Sequence, residues 1–153
     1  MGYAFLVAAP ERALLLECGV VDVRASTTAA ERLLAISKAL DVLIRRHRPF
    51  VLAVERLYFN KNVQTAMRVS EARGIALLCG ARAALEIAEY TPQEVKMSVT
   101  GNGRADKKAV QRMLPLLVAL DVPITQDNVA DAVAIALTHA QRTRFADAVA
   151  AAT

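Results

Sequence analysis

Two acidic residues of the sequence stand where a carboxylate could do chemistry. Glu55 follows the short apolar run at residues 50–54, which predicts a strand buried on both faces of a parallel sheet. The α/β proteins form their clefts at the carboxyl ends of such strands. Asp131 lies about one turn inside an apolar helix predicted to begin at Asp127, and its two neighbouring alanines would let that helix approach the sheet closely. If the two carboxylates meet, they repel each other and need a cation, for which Mg²⁺ suits an oxygen-only site.

Structural roles compete with this interpretation. An acid at the end of a strand often only caps the next helix, and acids in a first helical turn are favourable partners of the helix dipole. Asp127 and Asn128 precede Asp131 by four and three residues, so each can share a helical face with it. On this segment alone the structural role is favoured.

A glycine turn that runs into a helix is the third feature. Residues 101–103 predict the turn, and Lys107 and Lys108 stand in the first turn of the helix that follows. The helix dipole disfavours lysine at that place, so its presence favours an external phosphate. A simple connection between two helices is the alternative.

Cations cluster in the stretches that carry these motifs. The chain has 19 Lys and Arg against 15 Asp and Glu, for a net charge of +4, with seven cations against two acids at residues 42–74 and five against one at residues 96–112. In the first stretch Tyr58 and Phe59 stand beside Lys61, an arrangement that suits contact with unpaired bases, although one ring could instead fill the core. This distribution fits a polyanionic partner and fits a merely basic, solvated surface equally well.

The composition excludes several classes of protein. With 153 residues, 55% of them hydrophobic and 22% charged, the chain suffices for one domain with a core and is neither disordered nor a disulfide scaffold. Its apolar runs are too short to cross a bilayer and no basic segment precedes the first of them. Cys18 and Cys79 stand singly, so we expect a reduced, soluble, cytoplasmic protein without membrane contact.

The order of predicted elements indicates an α/β domain with a mixed sheet. Apolar runs at residues 3–8 and 13–21 predict an antiparallel hairpin, and Thr28 with Glu31 has the spacing of a capping box. Helices are then predicted at residues 28–46, 61–85, 104–117 and 127–140, with a further short helix that begins at residue 91. Strands are predicted at residues 50–55 and 85–90. The domain spans residues 1–140, and residues 141–153 form an Ala-rich tail that is helical or frayed.

Six short motifs stand in order along the chain. They read AVERLYF at residues 53–59, KN at 61–62, ARG at 72–74, EYTPQEVK at 89–96, TGNGRADK at 100–107 and ADAVAIALTHA at 130–140. Together they resemble the RuvC-type Holliday junction resolvases, and the resemblance covers nearly the whole chain to about residue 140.

The resemblance implies a ribonuclease H-like sheet flanked by helices, a homodimer joined through the long helix after Lys61, and paired phosphodiester hydrolysis of four-way DNA junctions in recombination and repair. The implied cofactor is Mg²⁺, for which Mn²⁺ can substitute, and a branch-migration helicase complex is the further partner considered. The implied metal-binding and catalytic residues are Glu55, Asp131, Asn128 or Asp127, Lys96 and Lys107, and the implied DNA-binding residues are Tyr58, Lys61, Asn62, Arg104 and Lys108.

Two departures from the family pattern bear on activity. The family begins with a central strand ending in Gly-Ile-Asp-Pro-Gly, whose Asp binds metal, whereas residues 1–4 match only from the second strand onward. Asn128 stands where the family usually has Asp or His. We therefore expect a misplaced start or a truncation, impaired cleavage, and low stability, a gap in the sheet or a different strand pairing. A catalytically silent, junction-selective DNA-binding dimer is the alternative; another nuclease or a transposase-like member of the ribonuclease H-like group is less favoured.

Overall fold

The fold was analysed in a computed structural model, which describes residues 1–9, 11–23, 28–56, 63–119, 124 and 126–151. The described elements, in chain order, are β1 (Gly2–Val7), β2 (Ala13–Val20), α1 (Ala29–His47), β3 (Val51–Glu55), α2 (Val63–Arg82), β4 (Glu86–Tyr90), α3 (Pro92–Thr100), α4 (Lys107–Leu117), β5 (Val118–Ala119) and α5 (Asp127–Ala151). None of the described helices is long and apolar enough to cross a membrane.

The described strands form two sheets instead of one continuous mixed sheet. One sheet has the order β1–β2–β5 and the other consists of β3 and β4. The chain correspondingly divides into two compact units, one formed by Met1 and residues 21–89 and the other by residues 2–20 and 90–153. The expectation of a gap in the sheet or of a different strand pairing stays a prediction.

The sheet of the second unit is built on the predicted hairpin. β1 and β2 pair antiparallel, from Gly2 opposite Val20 to Val7 opposite Leu14, with a bulge after Phe5. β5 adds to β2 in parallel through two residue pairs. Sequence analysis missed β5, because two residues directly after a helix carry no pattern of alternation.

The core of the second unit lies where α5 packs against the hairpin. Val133 is fully buried, and Leu137 and Ala130 are nearly so. α5 lies very close to the start of β1 at Gly2, where a Cβ atom would lie 1.9 Å from the carbonyl oxygen of Asn128. Only glycine allows the start of β1 and the first turn of α5 to come this near.

The first unit joins β3 and β4 to the packed helices α1 and α2. The predicted capping box is confirmed, since Thr28 accepts from the amide of Glu31 at 3.2 Å and the Glu31 carboxylate accepts from the Thr28 amide at 2.8 Å. Arg48 ends α1 in the left-handed conformation directly before a proline. The expectation that β3 is buried on both faces is wrong: all its residues are half-buried, because β4 is its sole described sheet partner.

Other boundaries differ from the predicted ones by a few residues. α4 begins at Lys107 and not at residue 104, because the Asp106 side chain accepts from the amide of Ala109 at 2.6 Å and so caps the helix. α5 continues without a break through residue 140 to Ala151, so the described part of the tail is helical. The domain boundary at residue 140 stays a prediction, and the predicted start of the long helix at residue 61 lies outside the described residues.

The capping box of α3 gives a stability prediction with a pH dependence. Glu94 accepts from the Thr91 amide at 2.8 Å, and this hydrogen bond holds the pKa of Glu94 below its ordinary value. Because the pKa is lower in the folded state, the contribution to stability is present above the unfolded pKa of roughly 4.3 and is lost as the pH falls through the folded pKa. Glu94→Gln keeps an acceptor for the Thr91 amide but loses the charge, so it should lower the free energy of unfolding by about 0.5 kcal/mol near neutral pH and by less in acid.

Urea unfolding at about pH 7 and about pH 3 measures this difference. Glu86→Gln, at an exposed position of β4, is the control and should change the free energy of unfolding little at either pH. An equal loss of stability for Glu94→Gln at both pH values would contradict the assignment.

Candidate active site

One lysine and two aspartates from the starts of two helices form an ion-paired cluster. The Nζ atom of Lys107 lies 3.1 Å from Oδ2 of Asp131 and 3.4 Å from Oδ2 of Asp127. Each of the three side chains is about half exposed or more. Two carboxylates thus face a single positive charge at a place that solvent, and hence a ligand, can reach.

Local structure explains why these side chains meet. Asp106 caps α4 and so makes Lys107 its first residue. On α5, Asp127 and Asp131 are four residues apart and share a helical face, while Val133 is fully buried against the rest of the unit. The buried face of α5 therefore leaves the two carboxylates on its accessible side.

The electrostatics of the cluster favour the charged forms of Lys107 and Asp127. Partial burial lowers the pKa of Lys107, but the hydrogen bonds and negative charges of Asp131 and Asp127 outweigh it and raise that pKa above its ordinary value. The pKa of Asp127 is lowered, first by the hydrogen bond that Gln111 donates at 2.8 Å and then by Lys107. One positive and two negative charges leave a net charge of −1, which attracts a further cation.

The glycine turn before this cluster has the predicted form. Gly101 ends α3 at φ 72°, a conformation that favours glycine, and its amide donates to the Met97 carbonyl at 2.9 Å. The Arg104 amide donates to Oδ1 of Asn102 at 2.9 Å, which shapes the step into α4. The turn therefore connects the helix that carries Lys96 directly to the helix that begins with Lys107.

The structure places the remaining predicted site residues as follows. Asn128 is exposed in the first turn of α5, and Lys96 is half-buried in α3. Arg104 and Lys108 are exposed on either side of Lys107 along the chain. Of the predicted cations, Lys107 is the one that forms ion pairs with Asp127 and Asp131 within the described residues.

Glu55 lies in the other compact unit, as the half-buried last residue of β3. Its backbone carbonyl accepts from Nε of Arg73 at 3.1 Å. The meeting of Glu55 with Asp131 stays a prediction, and in the part of the chain that the structure describes no three His, Cys, Asp or Glu side chains group closely enough to hold a metal ion.

Three of the predicted DNA-binding residues, Tyr58, Lys61 and Asn62, lie outside the described residues. Two residues that hydrogen-bond to predicted site residues, Gln111 and Arg73, were not themselves predicted to belong to the site. Gln111 stands four residues after Lys107 and so shares its helical face, a spacing that could have found it. Arg73 was quoted only as part of a motif, and no local pattern predicts which backbone atom it contacts.

Comparison with known sequences gives a consistent family. The sequence model of the family described as crossover junction endodeoxyribonuclease RuvC matches residues 1–139. The RuvC of Pelotomaculum thermopropionicum is 44% identical over 139 residues, which cover 91% of this chain and 85% of that protein. The RuvC of Heliobacterium modesticaldum is 44% identical over 136 residues, covering 89% of this chain and 84% of that protein.

Solved structures give the same result. A Thermus thermophilus RuvC structure is similar with a TM-score of 0.85 at 30% identity, over 95% of this chain and 89% of that one. A second structure, of Thermus thermophilus RuvC in complex with Holliday junction substrate, has a TM-score of 0.84 at 30% identity and covers 95% of this chain and 96% of that one.

Proposed function

Because this chain belongs to the RuvC family of crossover junction endodeoxyribonucleases, we propose that it binds four-way DNA junctions and cuts them in pairs of phosphodiester bonds. The predicted ribonuclease H-like fold is confirmed, and the family is one of hydrolases that act on DNA phosphodiesters.

The ion-paired cluster of Lys107 with Asp127 and Asp131 is the observation that carries the proposal. Phosphodiester hydrolysis needs carboxylates that hold cations and a positive group that faces the phosphate. This cluster offers both at one accessible place. An acidic pair with no lysine would repel DNA, and a lysine with no acids would bind DNA without holding a metal ion.

We propose Mg²⁺ as the cofactor, with Mn²⁺ able to replace it. The donor set fits, since it consists of carboxylate oxygens, and two of these already face one cation in the form of the Lys107 ammonium. Glu55 and Asp131 would hold the metal, with Asn128 or Asp127 completing the set. When bound, the metal ions supply the hydroxide nucleophile and stabilise the departing oxygen.

The chain's own residues would bind and orient the DNA around that chemistry. The Lys107 ammonium would donate a hydrogen bond to a phosphate oxygen and stabilise its growing negative charge. Lys96, Arg104 and Lys108 would bind neighbouring backbone phosphates. Tyr58 would stack on a base where the junction opens.

Paired cutting requires two copies of the site, and we propose that the chain forms a homodimer through α2. Exposed apolar side chains on this helix support the proposal, since Met67 is 58% and Leu78 is 52% exposed. A branch-migration helicase complex is proposed as a further partner from the family resemblance alone. We place the protein in the cytoplasm, in keeping with the free thiols of Cys18 and Cys79.

A second function, junction binding without cutting, is favoured by the same cluster. Lys107 already neutralises part of the charge that a metal ion needs, and Asn128 supplies a weaker ligand than an acid at the adjacent position. If the cluster binds metal weakly, the lysine and arginine side chains would still bind the junction, with an affinity that falls as salt is added.

A synthetic four-way junction with labelled arms separates the two functions. We expect slow, symmetric nicks in Mg²⁺ and in Mn²⁺, and binding without nicks in Ca²⁺. Lys107→Met should slow cutting by about a hundredfold and weaken binding far less. Lys38→Met, at an exposed position of α1, is the matched control and should cut as the unchanged chain does.

Binding in every metal without nicks would establish the second function in place of the first. Equal affinity for the junction and for a linear duplex of the same length would overturn both.

A further inference from the structure

Arg73 joins the ends of two strands in the first unit. From α2, its Nε atom donates to the backbone carbonyl of Glu55 at 3.1 Å, and its Nη2 atom donates to the Glu89 carboxylate. Glu55 is the last residue of β3 and Glu89 is the penultimate residue of β4. One guanidinium therefore holds the carboxyl end of β3 next to that of β4.

The chemistry of this contact makes it a rigid one. The donors of a guanidinium are held in one plane, so a hydrogen bond to one acceptor fixes the direction of the other. Hydrogen bonds with an ionised partner are roughly twice as strong as neutral ones. The Arg73 and Glu89 side chains are 24% and 38% exposed, so water competes with the pair only in part. The backbone that carries the Glu55 side chain is thereby restrained.

Other ion pairs on α2 show that this contact is more than a general fastening of the helix. Arg82 pairs with Asp41 at 3.8 Å, and Glu71 pairs with Arg32. Both of these pairs hold α2 to α1 and involve no predicted site residue. The Arg73 contact differs because it reaches the one residue of this unit for which we propose a catalytic role.

We propose that Arg73 is a positioning residue for Glu55, and that Glu89 in turn orients Arg73. This inference rests on the proposed function, in which the Glu55 carboxylate binds the metal ion. Arg73 acts through the backbone of Glu55, so its loss should weaken metal binding and leave the DNA-binding cations in place.

The test compares Arg73→Gln, Arg73→Lys and Glu89→Gln with the control Arg82→Gln, each in the full chain. Mn²⁺ binding to the protein without DNA is measured by electron paramagnetic resonance, and junction cutting is measured as a function of Mg²⁺ concentration. Arg73→Gln should weaken Mn²⁺ binding and raise the Mg²⁺ concentration for half-maximal cutting by about tenfold. Arg82→Gln should change neither.

Two further readouts separate positioning from general stability. Hydrogen exchange at the amides of residues 54–56 should rise in Arg73→Gln and not in Arg82→Gln, while junction binding in Ca²⁺ should stay as in the unchanged chain. Arg73→Lys keeps the charge but lacks the two-armed fork, so it should restore only part of the metal affinity. If Arg73→Gln fails to fold, Glu89→Gln and Arg73→Lys carry the same comparison.

The outcomes distinguish this inference from the proposed function. Unchanged Mn²⁺ binding and Mg²⁺ dependence in Arg73→Gln, in a chain that cuts junctions, would overturn the inference alone. A chain that does not cut, but whose Mn²⁺ binding is weakened by both Glu55→Gln and Arg73→Gln, would overturn the proposed cutting and support the inference. Unchanged Mn²⁺ binding in Glu55→Gln would overturn the metal role of Glu55 and the positioning role of Arg73 with it.

Discussion

Asp131→Asn is expected to slow junction cutting by about a hundredfold or more, with junction binding in Ca²⁺ largely kept. The change removes the negative charge that both Lys107 and the proposed metal ion require. Because the Asp131 side chain is 53% exposed, an amide of the same shape should not disturb the packing of α5. Single-turnover nicking of a labelled junction measures the loss.

The neighbouring positions decide how the proposed ligand set is completed. If Asp127 is a ligand, Asp127→Asn should slow cutting almost as much as Asp131→Asn does. If Asn128 is the ligand, Asp127→Asn should have a small effect and Asn128→Asp should speed cutting, because a carboxylate binds Mg²⁺ better than an amide. Asp41→Asn is the control, because the ion pair of Asp41 with Arg82 joins α1 to α2 and involves no predicted site residue. Normal cutting by Asp131→Asn would show that Asp131 has no role in the reaction.

The proposal that Glu55 and Asp131 hold the same metal ion predicts a kinetic signature. Two residues that hold the same metal ion act as a unit, so Glu55→Gln with Asp131→Asn should cut no more slowly than the slower single variant. If the losses multiply, the two residues act independently and the shared metal site is wrong.

The parts of the fold that the sequence predicted well are those governed by residues close together in the chain. Thr91 and Glu94 form a capping box because their spacing brings side chains and amides together in any helix. The hairpin of β1 and β2 likewise depends on adjacent runs and a short connection. These elements need no knowledge of what packs around them.

The parts that were missed depend on partners distant in the chain. β5 exists because Val118 and Ala119 lie beside β2, and residue 12 helps to keep them there: the Arg12 guanidinium donates to the Val118 carbonyl at 2.8 Å. The burial of β3 was overestimated because an apolar run predicts a strand but not the number of its neighbours.

The candidate site shows the same division. The sequence and its family resemblance predicted that Lys107 contacts a phosphate and that Asp131 binds a metal ion. They did not predict that these two side chains pair with each other. Their ion pair depends on how α4 and α5 pack, across 24 residues of chain. The contact of Arg73 with the Glu55 backbone is similarly non-local, because no side-chain pattern indicates which carbonyl a guanidinium will reach.

Gly2→Ala is expected to lower the free energy of unfolding by about 1–3 kcal/mol, as overpacking does. The added Cβ would lie 1.9 Å from the Asn128 carbonyl oxygen, and backbone cannot turn aside as a flexible side chain can. β1 and the first turn of α5 must therefore separate. That turn carries Asp127 and leads to Asp131, so we also expect slower junction cutting. Urea unfolding and nicking rates measure the two effects.

Gly74→Ala is the matched control, since it adds the same methyl group where no atom lies within 4 Å. Gly74 is exposed inside α2, where alanine is the better helix former, so this variant should gain about 0.5–1 kcal/mol. Opposite signs for the two changes would tie the loss to the contact at Asn128 and not to the methyl group itself. If Gly2→Ala unfolds at the same urea concentration as the unchanged chain, β1 and α5 do not pack as closely as the structure has them, and the position of the two aspartates loses its support.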